Sequence, residues 1–213
     1  MMGERQRGLE ALLNRAPVIP VLVIDDVADA VPLARALVGG GLPVLEITLR
    51  TKAAPDCIRA IKSEIKDAIV GSGTVLDEKG LKLSAELGCA FAVSPGATPA
   101  LLAAARNIET PLLPASRSPS EAMLLLEHGY GLQKFFPAEQ SGGAPYLAAL
   151  GSPLPQVRFC PTGGITAEIA PSYLKLANVI TIGGSWMAPK SLVAKKDWAA
   201  IGKLAAAAAD LKG

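Results

Sequence analysis

A chain of 213 residues that is half hydrophobic but only 4% aromatic builds its core mainly from Ala, Val, Leu and Ile, and it is long enough for one large domain. Its charge is nearly balanced at +2, with Lys and Arg scattered rather than striped along one face, which argues against a nucleic-acid partner. The three cysteines, Cys57, Cys89 and Cys160, include no C-x-x-C pair and fit a reduced, cytoplasmic protein better than a disulfide scaffold. The opening segment "MMGERQRGLEALLNRAP" is charged throughout and lacks the apolar centre of a signal peptide. We expect it to form a helix before Pro17. No apolar run approaches the ~20 residues that span a bilayer, so no membrane partner is expected.

Beyond Pro17, short apolar runs recur: "VIPVLVI" at 18, "PVLEITL" at 43, "AIVGS" at 68, "AFAVS" at 90, "TPLLPA" at 110, "LQKFF" at 132, "QVRFC" at 156 and "NVITIGG" at 178. Between them lie Ala- and Leu-rich segments with helical spacing, such as "DVADAVPLARALVGGG", "LKLSAELG" and "SEAMLLLEHG", often closed by a glycine. An Ala-rich tail from about Lys195 reads as a last helix. Eight strands alternating with helices imply a parallel sheet, and eight units of this size imply an α/β fold of the (β/α)8 TIM-barrel kind, one domain over residues 1–213 with an extra N-terminal helix. The competing arrangement is an open doubly wound sheet. Its best local support, "GSGTVL" at 71, lacks the third glycine of a dinucleotide fingerprint.

Barrels of this kind work at the C-terminal ends of their strands. In "PVLEITLR", alternation puts Leu45, Ile47 and Leu49 on one face and Glu46, Thr48 and Arg50 on the other, with Arg50 about 13 Å nearer the mouth than Glu46. In "LQKFFPAE", Lys134 shares a face with Leu132 and Phe136, while Gln133 and Phe135 point the other way. A buried lysine is rare unless paired. Lys134 and Glu46 inside one apolar barrel are therefore either a structural ion pair or a reacting pair. A free lysine titrates near 10.4, so only ~1 in 2,500 is a nucleophilic amine at pH 7, and an amine-based reaction needs surroundings that favour the neutral form.

Glycine pairs follow the last two strands, Gly163 and Gly164 in "CPTGGI" and Gly183 and Gly184 before Ser185 in "TIGGSW". The corresponding loops of barrels frequently hold a phosphate. Thr74 closes the third strand with a hydroxyl able to meet a carboxylate, and Ser94, Pro95 and Gly96 form a rigid loop after the fourth. The single histidine, His128, precedes a glycine at a helix end, where it offsets the helix dipole. With one histidine and no C-x-x-C pair a His-rich metal centre is not expected.

In order and spacing, "LEITLRT", "GSGTVL", "SPGAT", "KFFPAE", "RFCPTGGI" and "GGSW" resemble the motifs of the 2-keto-3-deoxy-6-phosphogluconate (KDPG) aldolases, from about Pro20 to Pro189. The resemblance implies a (β/α)8 barrel, usually a homotrimer, that needs no cofactor or metal. It implies reversible cleavage of the phosphorylated six-carbon keto acid to pyruvate and glyceraldehyde 3-phosphate in the Entner–Doudoroff pathway, with 4-hydroxy-2-oxoglutarate (KHG) as a further substrate of related members. It makes Lys134 the Schiff-base lysine and Glu46 the general acid/base. Arg50 and Thr74 become the carboxylate side, Pro95 and Phe136 walls, and Thr162, Gly163, Gly164, Gly184 and Ser185 the phosphate side. The chain departs from the family at Pro114 and Ala115, where proline-glycine is usual. Three alternatives stand beside this reading: the aldolase of the C4-epimeric phosphogalactonate, a sugar-phosphate isomerase or epimerase with Glu46 as base, and a non-catalytic phosphosugar-binding barrel.

Overall fold

A computed structural model describes residues 2–211 of the chain. The expected domain of residues 1–213 therefore has residues 1, 212 and 213 outside the described part. The strands are β1 (Val18–Leu22), β2 (Val44–Thr48), β3 (Ile69–Gly73), β4 (Ala92–Val93), β5 (Leu112–Leu113), β6 (Ala115–Ser116), β7 (Leu132–Phe135), β8 (Arg158–Pro161) and β9 (Ile182–Gly184). The α-helices are α1 (Met2–Leu13), α2 (Val27–Gly39), α3 (Ala54–Glu64), α4 (Glu78–Glu86), α5 (Pro99–Asn107), α6 (Pro119–Glu127), α7 (Gly143–Gly151), α8 (Ala170–Leu174), α9 (Lys190–Ala194) and α10 (Trp198–Ala209).

All strand pairs are parallel, and hydrogen bonds run β5-β4-β3-β2-β1-β9 on one side and β6-β7-β8 on the other. Two features close these arcs into a ring. Parallel bridges Phe159↔Val179 and Thr162↔Gly183 join β8 to the β9 segment. The other join is the fifth stave, which is one continuous run in the sequence but two short strands in the molecule. Pro114 lies between them, having no N–H to offer a neighbour. Its carbonyl still accepts from Lys134 N at 2.9 Å, so β5 pairs with β4, β6 pairs with β7, and the eight expected staves form a barrel.

Inner and outer faces have separate cores. Leu45, Ile47, Phe135 and Phe159 point outward into the layer beneath the helices, where the Phe135 ring stacks on Tyr146 at 5.8 Å. Ile19, Val44, Phe91, Val93, Leu113, Leu132, Cys160 and Ile180 fill the inside, together with Leu9 and Leu13 of α1. The extra helix thus plugs the N-terminal end of the barrel. It is fixed by Gln6, whose amide donates to Leu112 O and whose oxygen accepts from Leu132 N, and by Arg5, which donates to Ile108 O at 3.0 Å. Helix starts carry their own signals. Asp26, Asp77, Thr98, Ser118 and Asp197 accept from the first-turn N–H groups of α2, α4, α5, α6 and α10, and Ser118 with Glu121 forms a reciprocal capping box.

Candidate active site

Period-two alternation brings Glu46 and Lys134 to the barrel interior from opposite sides. Each is about 4% exposed, and Lys134 Nζ stands 3.5 Å from Glu46 Oε1. Their neighbours are chosen for size. A Cβ at Gly73 would overlap Glu46 Oε1 and lie 2.7 Å from its Cγ, so the glycine in "GSGTVL" makes room for the carboxylate. Lys134 lies level with Ala115 on one side and Cys160 on the other, and its ammonium sits 5.2 Å from the centre of the Phe136 ring. Burial pushes the Cys160 thiol up to about 12; the Lys134 charge opposes this and Glu46 adds to it. The thiol is thus a neutral, apolar wall for the pair.

The remaining polar groups on these strands are satisfied locally. Thr48 donates to Leu22 O at 2.9 Å, and outward-facing Gln133 accepts from Ser116 while donating to Ala122 O and Tyr130 O. Only Glu46 and Lys134 face each other as a buried ion pair among the described residues.

Above the pair the mouth opens into a cavity of about 320 Å³, within the range of small-ligand sites. It gathers Arg50, Phe136, Thr162, Gly163, Gly164, Gly184 and Ser185, with Gly183 and Lys190 beside them. Lys134 and Glu46 are not part of the cavity wall; they lie deeper along the same strands, and Phe136, whose ring centre is 5.2 Å from Lys134 Nζ, lines the cavity. β2 ends at Thr48, so Arg50 enters from the following turn rather than from a strand face as its alternation suggested. Its Nε donates to Thr74 Oγ1 at 2.9 Å, and this is how Thr74 joins the site. Thr74 holds a left-handed φ of +59°, uncommon for a β-branched residue and costly by about 1–3 kcal/mol. Pro95 lines a second cavity with Gly96, Ser116, Arg117, Glu121 and Leu124, which shares Phe136 with the first.

The glycine-rich wall is tied to the lysine strand. Ala138 N donates to Thr162 O and Glu139 N to Gly163 O, joining the loop after β7 to the loop after β8. Gly163 and Gly164 have φ of +107° and +78°, and a Cβ on Gly164 would sit 2.8 Å from that of Glu139. Gly183 and Gly184 are strand residues, kept small by the side chains of Thr162 and Trp186. Tyr173, fully buried, donates a hydrogen bond to the Glu139 carboxylate. Burial first, and that hydrogen bond second, hold the phenol protonated well above its usual range. Glu139 therefore braces the turn that follows the lysine strand, a role that "KFFPAE" did not reveal because its partner lies 34 residues away.

Sequence reasoning also missed Lys190, because a cation after Pro189 has no periodic signature. His128 stands at the end of α6 against Arg106, on the connection leading to the start of β7 and so away from the mouth. Among the described residues, no group of three or more His, Cys, Asp and Glu side chains is placed to hold a metal ion. No helix of the described residues is long and apolar enough to cross a membrane.

Fold and site together define a (β/α)8 barrel with a lysine–carboxylate pair buried beneath a mouth whose charged lining is cationic. Residues 9–204 match the family model described as KDPG and KHG aldolase. A 2-dehydro-3-deoxy-phosphogluconate aldolase of Pseudoalteromonas atlantica is 50% identical over 194 residues, covering 91% of this chain and 90% of the relative. The KDPG aldolase of Zymomonas mobilis ZM4, solved with 3-phosphoglycerate, superposes with a TM-score of 0.92 at 47% identity, covering 97% of both chains. That of Legionella pneumophila, with pyruvate captured at low pH as a covalent carbinolamine intermediate, gives 0.91 at 42% identity, covering 94% of this chain and 97% of the other. The chain belongs to the KDPG and KHG aldolase family.

Proposed function

We propose that this chain is a Schiff-base aldolase that reversibly cleaves 2-keto-3-deoxy-6-phosphogluconate to pyruvate and glyceraldehyde 3-phosphate, the aldol step of the Entner–Doudoroff pathway, and that it also accepts 4-hydroxy-2-oxoglutarate. The observation that carries the reading is the Lys134–Glu46 pair, 3.5 Å apart inside the barrel, in a family one of whose members holds pyruvate as a covalent carbinolamine.

Each step follows from the placement of these groups. Lys134 Nζ, as the amine, adds to the C2 carbonyl, and the carbonyl oxygen takes a proton to give a carbinolamine. Loss of water leaves a protonated imine. Glu46 removes the proton of the C4 hydroxyl; the C3–C4 bond breaks, its electron pair moves into the imine as an enamine, and the aldehyde departs. Protonation of the enamine at C3 and addition of water release pyruvate and restore the amine. Arg50, steadied by Thr74, holds the C1 carboxylate. Phe136 forms one wall and Pro95, from the adjoining cavity, another. Thr162, Gly163, Gly164, Gly184 and Ser185 receive the phosphate, a reading in keeping with a relative that takes up the phosphorylated acid 3-phosphoglycerate. The pair supports imine chemistry better than simple isomerisation because isomerisation needs only the carboxylate base, whereas the buried primary amine beside it can form a covalent imine.

The reading includes one barrel domain over the whole chain, a cytoplasmic location and a homotrimer. Exposed Leu76, Met123 and Leu124 offer apolar surface for such an assembly, which sedimentation equilibrium tests. The kinetic test is a pair of variants. Lys134→Met is expected to lower kcat by about 10⁴-fold or more. Glu46→Gln is expected to slow cleavage far more than imine formation, resolved by single-turnover mixing. Substantial turnover by Lys134→Met would exclude the mechanism.

A further inference from the structure

The cavity above the lysine has two cationic side chains in its wall and no anionic one. Arg50 enters after β2 and Lys190 from the start of α9; every other lining residue is apolar, a glycine or a hydroxyl. Neither cation is paired with a carboxylate among the described residues, although lysines elsewhere are, as in Lys82 with Glu78 and Lys196 with Asp29. Lys190 follows Ser185 across a turn closed by Ala188 N donating to Ser185 O and lines the same cavity as Gly163, Gly164 and Ser185, whereas the Arg50 side chain is engaged with Thr74 after β3. Lys190 lies just beyond the segments that carry the family motifs.

We infer that Lys190 is a specificity-determining residue: its ammonium reads the phosphate of the substrate and makes this enzyme favour phosphorylated 2-keto acids over unphosphorylated ones. The inference rests on the aldolase reading but concerns a side chain remote from the reacting carbons. An ammonium on a flexible stem acts on phosphate as a point charge with up to three donors. Being exposed, it is screened by salt, so its contribution falls as ionic strength rises. Such a charge acts alike on substrate and transition state, so it appears in KM rather than in kcat.

The test measures kcat and KM for the phosphorylated six-carbon keto acid and for its dephosphorylated counterpart, with inorganic phosphate as a competitive inhibitor. Unaltered protein and Lys190→Ala, Lys190→Glu and Lys190→Arg are compared at low and high salt. The ratio of kcat/KM, phosphorylated over unphosphorylated, is expected to fall about tenfold in Lys190→Ala at low salt, through KM. The fall should be larger in Lys190→Glu, largely reversed in Lys190→Arg and small at high salt, with inhibition by phosphate weakening in parallel. Circular dichroism and Tm confirm that the variants fold. If Lys190→Ala and Lys190→Glu keep the unaltered ratio and phosphate inhibition, the role of Lys190 is overturned while the aldolase reading stands. If the unaltered protein shows no preference for the phosphorylated acid, the phosphate end of the site fails as well.

Discussion

The two ends of this barrel are built from opposite chemistry. At the N-terminal end, Leu9 and Leu13 of α1 enter among Ile19, Val44 and Leu132, and Gln6 bridges two staves through their backbone. At the C-terminal end there is no plug. Glycines, hydroxyls and cations surround a cavity, and the buried Lys134–Glu46 pair lies beneath its floor. The closed end takes its free energy from burial. The open end keeps an ion pair whose desolvation the Coulombic attraction scarcely repays, and a threonine in a strained conformation. Stability and chemistry are thus carried by different layers of one interior, stacked along the same strands.

That separation is open to direct attack. Short of removing Lys134 itself, the largest effect is expected at Gly73, where an alanine would press on the Glu46 carboxylate; Gly73→Ala should lower kcat about 100-fold, as misplacement by about 1 Å does, with the unfolding midpoint little changed. At the other end, Leu13→Ala should cost about 2–5 kcal/mol in denaturant unfolding and leave kcat within about twofold. Loss of catalysis without loss of stability in the second variant would erase the distinction. Smallest is Thr74→Gly, which relieves the left-handed strain while removing the acceptor of Arg50 Nε. KM for the keto acid should rise about fivefold, the worth of one hydrogen bond, with Tm unchanged or higher.

Much of this was legible in the sequence, and the limits have physical causes. Eight apolar runs separated by helical segments announced a parallel sheet buried on both faces, and their number favoured a closed barrel over an open doubly wound sheet. Glu46 and Lys134 were placed on the interior by alternation alone. Arg50 was assigned a strand face two residues after β2 ends, since periodicity carries no signal for where a strand stops. The division at Pro114 was hidden because "PLLPA" reads as one apolar run; only the loss of an N–H at that position creates it. The φ of Thr74 could not be seen, as a β-branched residue ordinarily marks extended chain. The resemblance grouped Pro95 with Phe136 as walls, and Pro95 lines a second cavity that shares Phe136 with the first, an arrangement that depends on loops from separate strands and so has no local signature. Lys190 and the Tyr173–Glu139 brace arise from contacts between segments distant along the chain.

The most direct measurement is intact mass with peptide mapping after incubation with pyruvate and sodium borohydride. A protein that uses Lys134 as its Schiff-base lysine will carry one reduced pyruvate adduct, on the peptide containing Lys134, and none after Lys134→Met. A correctly folded protein that gains no adduct, or gains it on another lysine, would contradict the assignment of the buried pair to imine chemistry.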